Sequence, residues 1–198
     1  MSHIEYFVNP ISTFSYLASD RLEKVAAKHG ASITYKPFDL IGNFTRTGGV
    51  PVGQRHESRQ EYRMQELKRI SKRYDLPMNF KPRHFPTNPA PASYAIIAAQ
   101  EVGGGDVGAL VRAFLRACFV GEKDVADDAV IRACLTENGF AADLADHNMV
   151  RAAEIYARNT EEAVSRGVFG APFYIVGEER FWGQDRIEYL DLYLSEIA

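Results

Sequence analysis

At 198 residues, 46% hydrophobic and 25% charged, the chain is long enough to bury one substantial core, alone or with an insertion, and too short to hold a second enzyme unit. A formal net charge of -3 supplies no overall attraction to nucleic acid or to an anionic membrane surface, so the expected ligand is a small molecule. No window approaches the ~18 apolar residues of a membrane span, and Met1-Ser2-His3-Ile4-Glu5-Tyr6 lacks the basic and apolar stretches of a secretory signal, so the expected location is cytoplasmic.

Ile4 to Val8 is an apolar run stopped by Asn9-Pro10, which predicts a short first strand. From about Thr13 the residues Tyr16, Leu17, Leu22, Val25 and Ala26 recur at helical spacing up to Lys28-His29-Gly30 and predict one helix. Ser32 to Phe38 reads as a second strand, parallel to the first if both share a sheet. At the other end, Phe173 to Val176, the turn Gly177-Glu178-Glu179 and Arg180 to Trp182 predict a hairpin. Ile187, Leu190, Leu194 and Ile197 then share one face of a helix spanning Gln184 to Ile197. The stretch between the two ends carries helical signals near 57–74, 89–102, 106–119, 127–137 and 148–167, with no convincing strand. The expected architecture is an α/β fold, βαβ…ββα, with residues 1–54 and 168–198 forming the sheet domain and 55–167 an all-helical insertion.

Pro172 carries the sharpest local information. A proline immediately before the apolar run Phe173-Tyr174-Ile175-Val176 cannot sit freely inside a sheet, so it begins the strand, and the expected peptide between Ala171 and Pro172 is cis. A thioredoxin architecture uses a cis-proline in this way, to present the preceding residue's backbone to a thiol-bearing ligand. What faces it from the first strand–helix turn is a serine, Ser12. On its own Ser12 reads as a helix N-cap; in this setting its O–H is also placed to donate to another molecule's thiolate. Ser15 is a rival, with helix-surface or core hydrogen bonding as its plainer reading. Cys118 and Cys134, the only cysteines, have neither C-x-x-C nor metal spacing. His3, His29, His56, His84 and His147 are likewise scattered, which disfavours metal catalysis.

Taken together, Ser12-Thr13-Phe14-Ser15-Tyr16-Leu17, the helical middle, Gly170-Ala171-Pro172 and Phe181-Trp182-Gly183-Gln184-Asp185-Arg186 occur in one order across nearly the whole chain. This pattern resembles the 2-hydroxychromene-2-carboxylate isomerase family and its relative, the kappa-class glutathione transferases, which share a thioredoxin fold with a helical insertion. Thr13 stands where that family has proline, and Gly49, in Thr47-Gly48-Gly49-Val50-Pro51, where it has asparagine.

The resemblance implies glutathione as cofactor. Ser12 would contact its sulfur, and Ala171 would pair its backbone with the cysteinyl part while Pro172 fixes that geometry. Asp185 would receive the γ-glutamyl ammonium, and the N–H groups of Gln184 and Asp185, opening the last helix, would bind the γ-glutamyl carboxylate. Arg186 is a weaker candidate there, since an outward salt bridge explains it equally well. Arg59, or Arg55, would reach the glycyl carboxylate, and Gly49→Asn would restore a missing amide contact. Phe14, Tyr16, Phe44 and Trp182 are candidates to wall an aromatic substrate pocket, with plain core packing as the alternative. The implied activity is glutathione-dependent cis–trans isomerisation of an aromatic-degradation intermediate by a homodimer. Two other readings fit the same residues: a kappa-like glutathione transferase or peroxidase, and a binding protein that kept the fold without the chemistry.

Overall fold

The computed structural model describes residues 2–197; positions 1 and 198, the outer ends of the expected sheet domain, lie outside the described residues. The first strand, β1 (His3–Val8), alternates its side chains between two faces. Ile4, Tyr6 and Val8 enter one core cluster, while Phe7 enters another with Phe38, Phe173 and Ile175. Both faces of β1 are therefore buried, and each fully buried Phe or Ile contributes about 1.5–3 kcal/mol by leaving water.

Four strands form a sheet in the order β2-β1-β3-β4. β1 runs parallel to β2 (Ser32–Pro37), paired from His3 with Ser32 to Val8 with Pro37. It runs antiparallel to β3 (Phe173–Val176), and β3 forms a hairpin with β4 (Glu179–Trp182). The expected sheet is thus present. The Ala171–Pro172 peptide is cis.

The link between β1 and β2 departs from the single expected helix. It is split into α1 (Thr13–Ala18) and α2 (Arg21–Lys28), because Ser19 adopts a positive φ of 53°. The break leaves carbonyls without helical partners, and Arg21 satisfies two of them, donating to Leu17 O at 3.0 Å and Ala18 O at 3.2 Å.

Between β2 and the first expected helical signal near 57, the structure has an additional helix, α3 (Leu40–Thr47). Its signals were an Asp39 N-cap, which accepts from Gly42 N at 3.0 Å, and a left-handed Gly48 at its end. A 3-10 turn (Val52–Gln54) leads into α4 (Glu57–Arg73), α5 (Ala90–Val102), α6 (Val107–Phe119), α7 (Asp128–Glu137) and α8 (Leu144–Ser165). α8 begins earlier than the expected 148. Among the described residues no strand lies between β2 and β3, and no helix is long and apolar enough to cross a membrane. The last helix, α9, spans Ile187–Glu196 and so starts later than Gln184, the expected first residue.

The pairing of Phe7 with Phe173 brings the residues that follow β1 beside those that precede β3. Asn9, buried, fixes this junction: its Nδ2 donates to Phe38 O at 3.2 Å and its Oδ1 accepts from Ile11 N at 3.1 Å. Ser12 N in turn donates to Asn9 O at 2.9 Å.

Candidate active site

Ser12 caps α1, and its hydroxyl bridges two elements. Oγ accepts from Ser15 N at 3.2 Å and donates to Ala171 O at 3.0 Å, across 159 positions of sequence. The capping role expected of a serine here is real, yet it uses only an acceptor lone pair; the proton points at the carbonyl before Pro172. Ser12 keeps 8% of its surface exposed. Ser15 is buried, and among the described residues its Oγ makes no hydrogen bond.

The turn after β4 joins the same place. Gly183 N donates to Pro172 O at 3.0 Å, which sets Gln184 and Asp185 next to the proline. These two residues do not open α9; they form a turn ahead of it, and Arg186 occupies the N-cap position. Their N–H groups are therefore not the first of a helix. Asp185 makes no capping hydrogen bond, and its exposed carboxylate lies 3.1 Å from Arg186. Gln184 is buried, and its Oε1 accepts from Arg21 Nη2 at 2.5 Å. Arg21 also donates to Tyr74 Oη at 3.1 Å with its guanidinium 4.1 Å from the Tyr74 ring centroid. One arginine thereby ties the broken end of α1, the end of α4 and the Gln184 turn together.

The four aromatic candidates separate. Phe14 is half-buried and Trp182 is 52% exposed, so both keep ring surface for a ligand. Tyr16 does not: it is buried at 5.6 Å from Phe119, with its hydroxyl donating to Pro77 O. Phe44 is also buried, packed under Gly49. A Cβ built on Gly49 would come within 2.7 Å of Phe44 Cγ. The expected amide restoration by Gly49→Asn therefore meets a steric obstacle that the sequence did not show. At the other wall, a Cβ on Gly170 would approach within 2.9 Å of Trp182 Cε2, so the glycine is what lets the indole lie against the segment leading to Ala171. Phe169 extends that wall, its ring 4.8 Å from Trp182.

Arg59 is exposed on α4, whereas Arg63, one turn on, reaches Thr13 Oγ1 and sits 5.8 Å above the Phe14 ring. Arg55 is half-buried and donates to Val50 O at 2.7 Å. An open cleft of about 480 Å³ between α6 and α7 shares no residue with this cluster.

A family model described as the DsbA-like thioredoxin domain matches residues 3–195. The chain belongs to that family. Within it, the chain is 29% identical over 196 residues to 2-hydroxychromene-2-carboxylate isomerase from Sphingobium xenophagum, covering 98% of each chain. A solved 2-hydroxychromene-2-carboxylate isomerase superposes with a TM-score of 0.80 at 24% identity, covering 98% of this chain and 95% of that one. Cytosolic disulfide reductase DsbM from Pseudomonas aeruginosa, solved with GSH, superposes with a TM-score of 0.70 at 19% identity over 98% of both chains.

Against this DsbA-like frame, the residues that sequence reasoning passed over are Asn9, Arg21, Asn43, Arg63 and Phe169. Asn43 is buried and donates to Val168 O at 2.8 Å, holding the approach to Pro172 from α3. Its signal was present, since a buried asparagine is costly unless its amide serves the backbone, but it rested on recognising α3. Arg21 and Arg63 had no signal beyond their positions on helices that face the site. Cys118 and Cys134 are buried; burial and Asp124 push the Cys118 thiol up to about 12, and burial and Glu137 push Cys134 up to about 11.

Proposed function

We propose that this chain is a glutathione-dependent cis–trans isomerase of the 2-hydroxychromene-2-carboxylate type, acting on an aromatic-degradation intermediate. Three curated relatives carry that isomerase name. The observation that carries the proposal is the Ser12 hydroxyl directed at Ala171 O beside Pro172: a donor, with no cysteine of the chain's own at the start of α1. Such a site suits a thiol brought by another molecule.

In this reading Asp185, whose carboxylate is exposed, receives the ammonium of glutathione, the backbone of Ala171 pairs with its cysteinyl part, and the exposed Arg59, which has no carboxylate partner among the described residues, takes its glycyl carboxylate. Glutathione supplies a thiolate that adds reversibly to the unsaturated side chain of the substrate, making the double bond a rotatable single bond until the sulfur departs with its own electron pair.

Ser12 keeps that sulfur ionised by donating its proton as a charge-assisted hydrogen bond. Its lone pair stays with Ser15 N–H, so the cap is retained while the O–H turns from Ala171 O to the ligand. The Ala171 carbonyl then accepts from the cysteinyl N–H instead. Arg21 holds Gln184, and through it the turn that carries Asp185. Phe14 and Trp182 flank the aromatic substrate, and residues 55–167 form the helical subdomain that covers it. The reading includes a cytoplasmic homodimer, since cytosolic conditions keep thiols reduced; light scattering measures the dimer.

Ser12→Ala tests the proposal. The thiolate absorbance of bound glutathione should titrate at a pH higher by roughly one to two units, the equivalent of a hydrogen bond to a charged group at about 1.5–3 kcal/mol. Isomerisation should require glutathione and fall accordingly. An identical titration in both proteins removes this role from Ser12, and isomerisation in thiol-free buffer removes glutathione.

A further inference from the structure

Arg59 and Arg63 lie four residues apart on α4 and so are neighbours on one helix face, and Arg55, in extended backbone just ahead of the helix, is close enough for its charge to act on Arg63. Among the described residues none of the three pairs with a carboxylate; Arg55 is held by Val50 O and Arg63 by Thr13 Oγ1. Arg63 is the exceptional one. It is half-buried, and burial, followed by the charge of Arg55, lowers its pKa below the usual arginine value. A guanidinium offers five N–H donors, and here its one side-chain partner is a neutral hydroxyl. A cation drawn partly out of water, beside a like charge and without an anion, is uncompensated in the ligand-free chain.

Its location says which anion is missing. Thr13 is the sequence neighbour of Ser12, and Phe14, under the guanidinium, is one of the two aromatic candidates with free ring surface. Arg59 is exposed and lies one helical turn from Arg63 on α4, the better place for the end of a peptide.

Building on the isomerase reading, in which sulfur adds to an unsaturated α-oxo acid, we infer that Arg63 is the residue that holds the substrate's carboxylate and so discriminates the acid from the corresponding uncharged ketone. In such an acid the carboxylate and the ketone oxygen are adjacent and only a few bonds from the carbon that sulfur attacks. A planar guanidinium fork can span both oxygens. As the sulfur–carbon bond forms, the π pair of the carbon–carbon double bond shifts to the bond beside the carbonyl carbon and the C=O π pair moves onto the ketone oxygen, beside the cation; when both pairs return, the sulfur–carbon bond breaks and the thiolate leaves with its own pair. The cycle consumes neither oxidant nor reductant, and Arg63 stabilises the charge where it develops.

Equilibrium binding of unreactive analogues tests this. Calorimetry compares benzylpyruvate with benzylacetone, which has a methyl group in place of the carboxylate, each measured with and without glutathione. The wild-type protein should prefer benzylpyruvate by roughly ten- to a hundredfold, as for a charge-assisted hydrogen bond. Arg63→Met should abolish the preference and leave glutathione affinity unchanged, and Arg63→Lys should restore part of it. Arg59→Met should move glutathione affinity and leave the preference intact. A preference that survives in Arg63→Met, or none in the wild type, overturns the inference. Absence of glutathione binding alongside an Arg63-dependent carboxylate preference would instead refute the parent reading alone.

Discussion

Gly49 packs its α-carbon against the buried ring of Phe44, leaving no room for a side chain: a Cβ there would stand 2.7 Å from Phe44 Cγ. The obstructing atoms are those of a ring fixed in the interior and not a side-chain tip that swings aside. Gly49→Asn should therefore destabilise the protein by about 1–3 kcal/mol, the range for overpacking, whatever it does for glutathione. Denaturant unfolding measures this, and Phe44→Leu in the same chain should recover part of the loss. Undiminished stability with tighter glutathione binding would show that the loop rearranges freely.

Asp185 makes no cap and its one ion pair, with Arg186, is on the surface, where such pairs are worth little. Asp185→Ala should leave stability within about 0.5 kcal/mol while weakening glutathione by roughly ten- to a hundredfold. Thermal unfolding and calorimetry on the same preparation separate the two. Unchanged affinity would take Asp185 out of the site.

Glu5 lies between Lys36, at 2.5 Å, and Arg166, and Lys36 also meets Glu162 at 2.6 Å. Burial raises the Glu5 pKa, but hydrogen bonds from Lys36 and Arg166 outweigh it and hold the carboxyl below its ordinary value. Because the folded value is the lower one, the stabilisation is complete above the unfolded pKa and is lost as pH falls through the folded one. Glu5→Gln should cost about 1.5–3 kcal/mol at neutral pH, and the gap between the two proteins should close below about pH 4. A gap that is constant across this window would refute the ionic origin.

Cys118 and Cys134 should be inert in the folded protein, since both thiols are buried and held well above neutral pKa. At pH 8 a thiol-reactive disulfide should label them only after denaturation, and the double alanine variant should retain glutathione-dependent isomerisation. Rapid labelling of the native chain would reopen a redox role.

The strands were legible because the apolar runs Ile4–Val8 and Phe173–Val176, each bounded by proline, are local signals with few competing readings. The cis peptide before Pro172 and the capping by Ser12 were legible from local signals as well, whereas the place of Ala171 beside Ser12 came from the resemblance. The helix split at Ser19 was not: it depends on Arg21 reaching back to carbonyls, a contact that leaves no mark in the periodicity of Tyr16, Leu17 and Leu22. α3 was hidden by Gly42 and Asn43, poor helix formers that are kept there by the Asp39 cap and by Val168. Tyr16 and Phe44 stood beside Phe14 and Trp182 as pocket candidates, with core packing as the alternative, because aromatic residues look alike in sequence whether they wall a ligand or fill a core. Only the third dimension separates them from Phe14 and Trp182.

Trp182 is the sole tryptophan in the chain, and its indole rests against Gly170, beside the Ala171–Pro172 cradle. Its emission is therefore a built-in optical reporter of this one location. Half of its surface faces solvent, so a molecule that settles next to Ala171 changes the polarity around the ring and shifts the spectrum, with no dye to attach and no second indole to subtract.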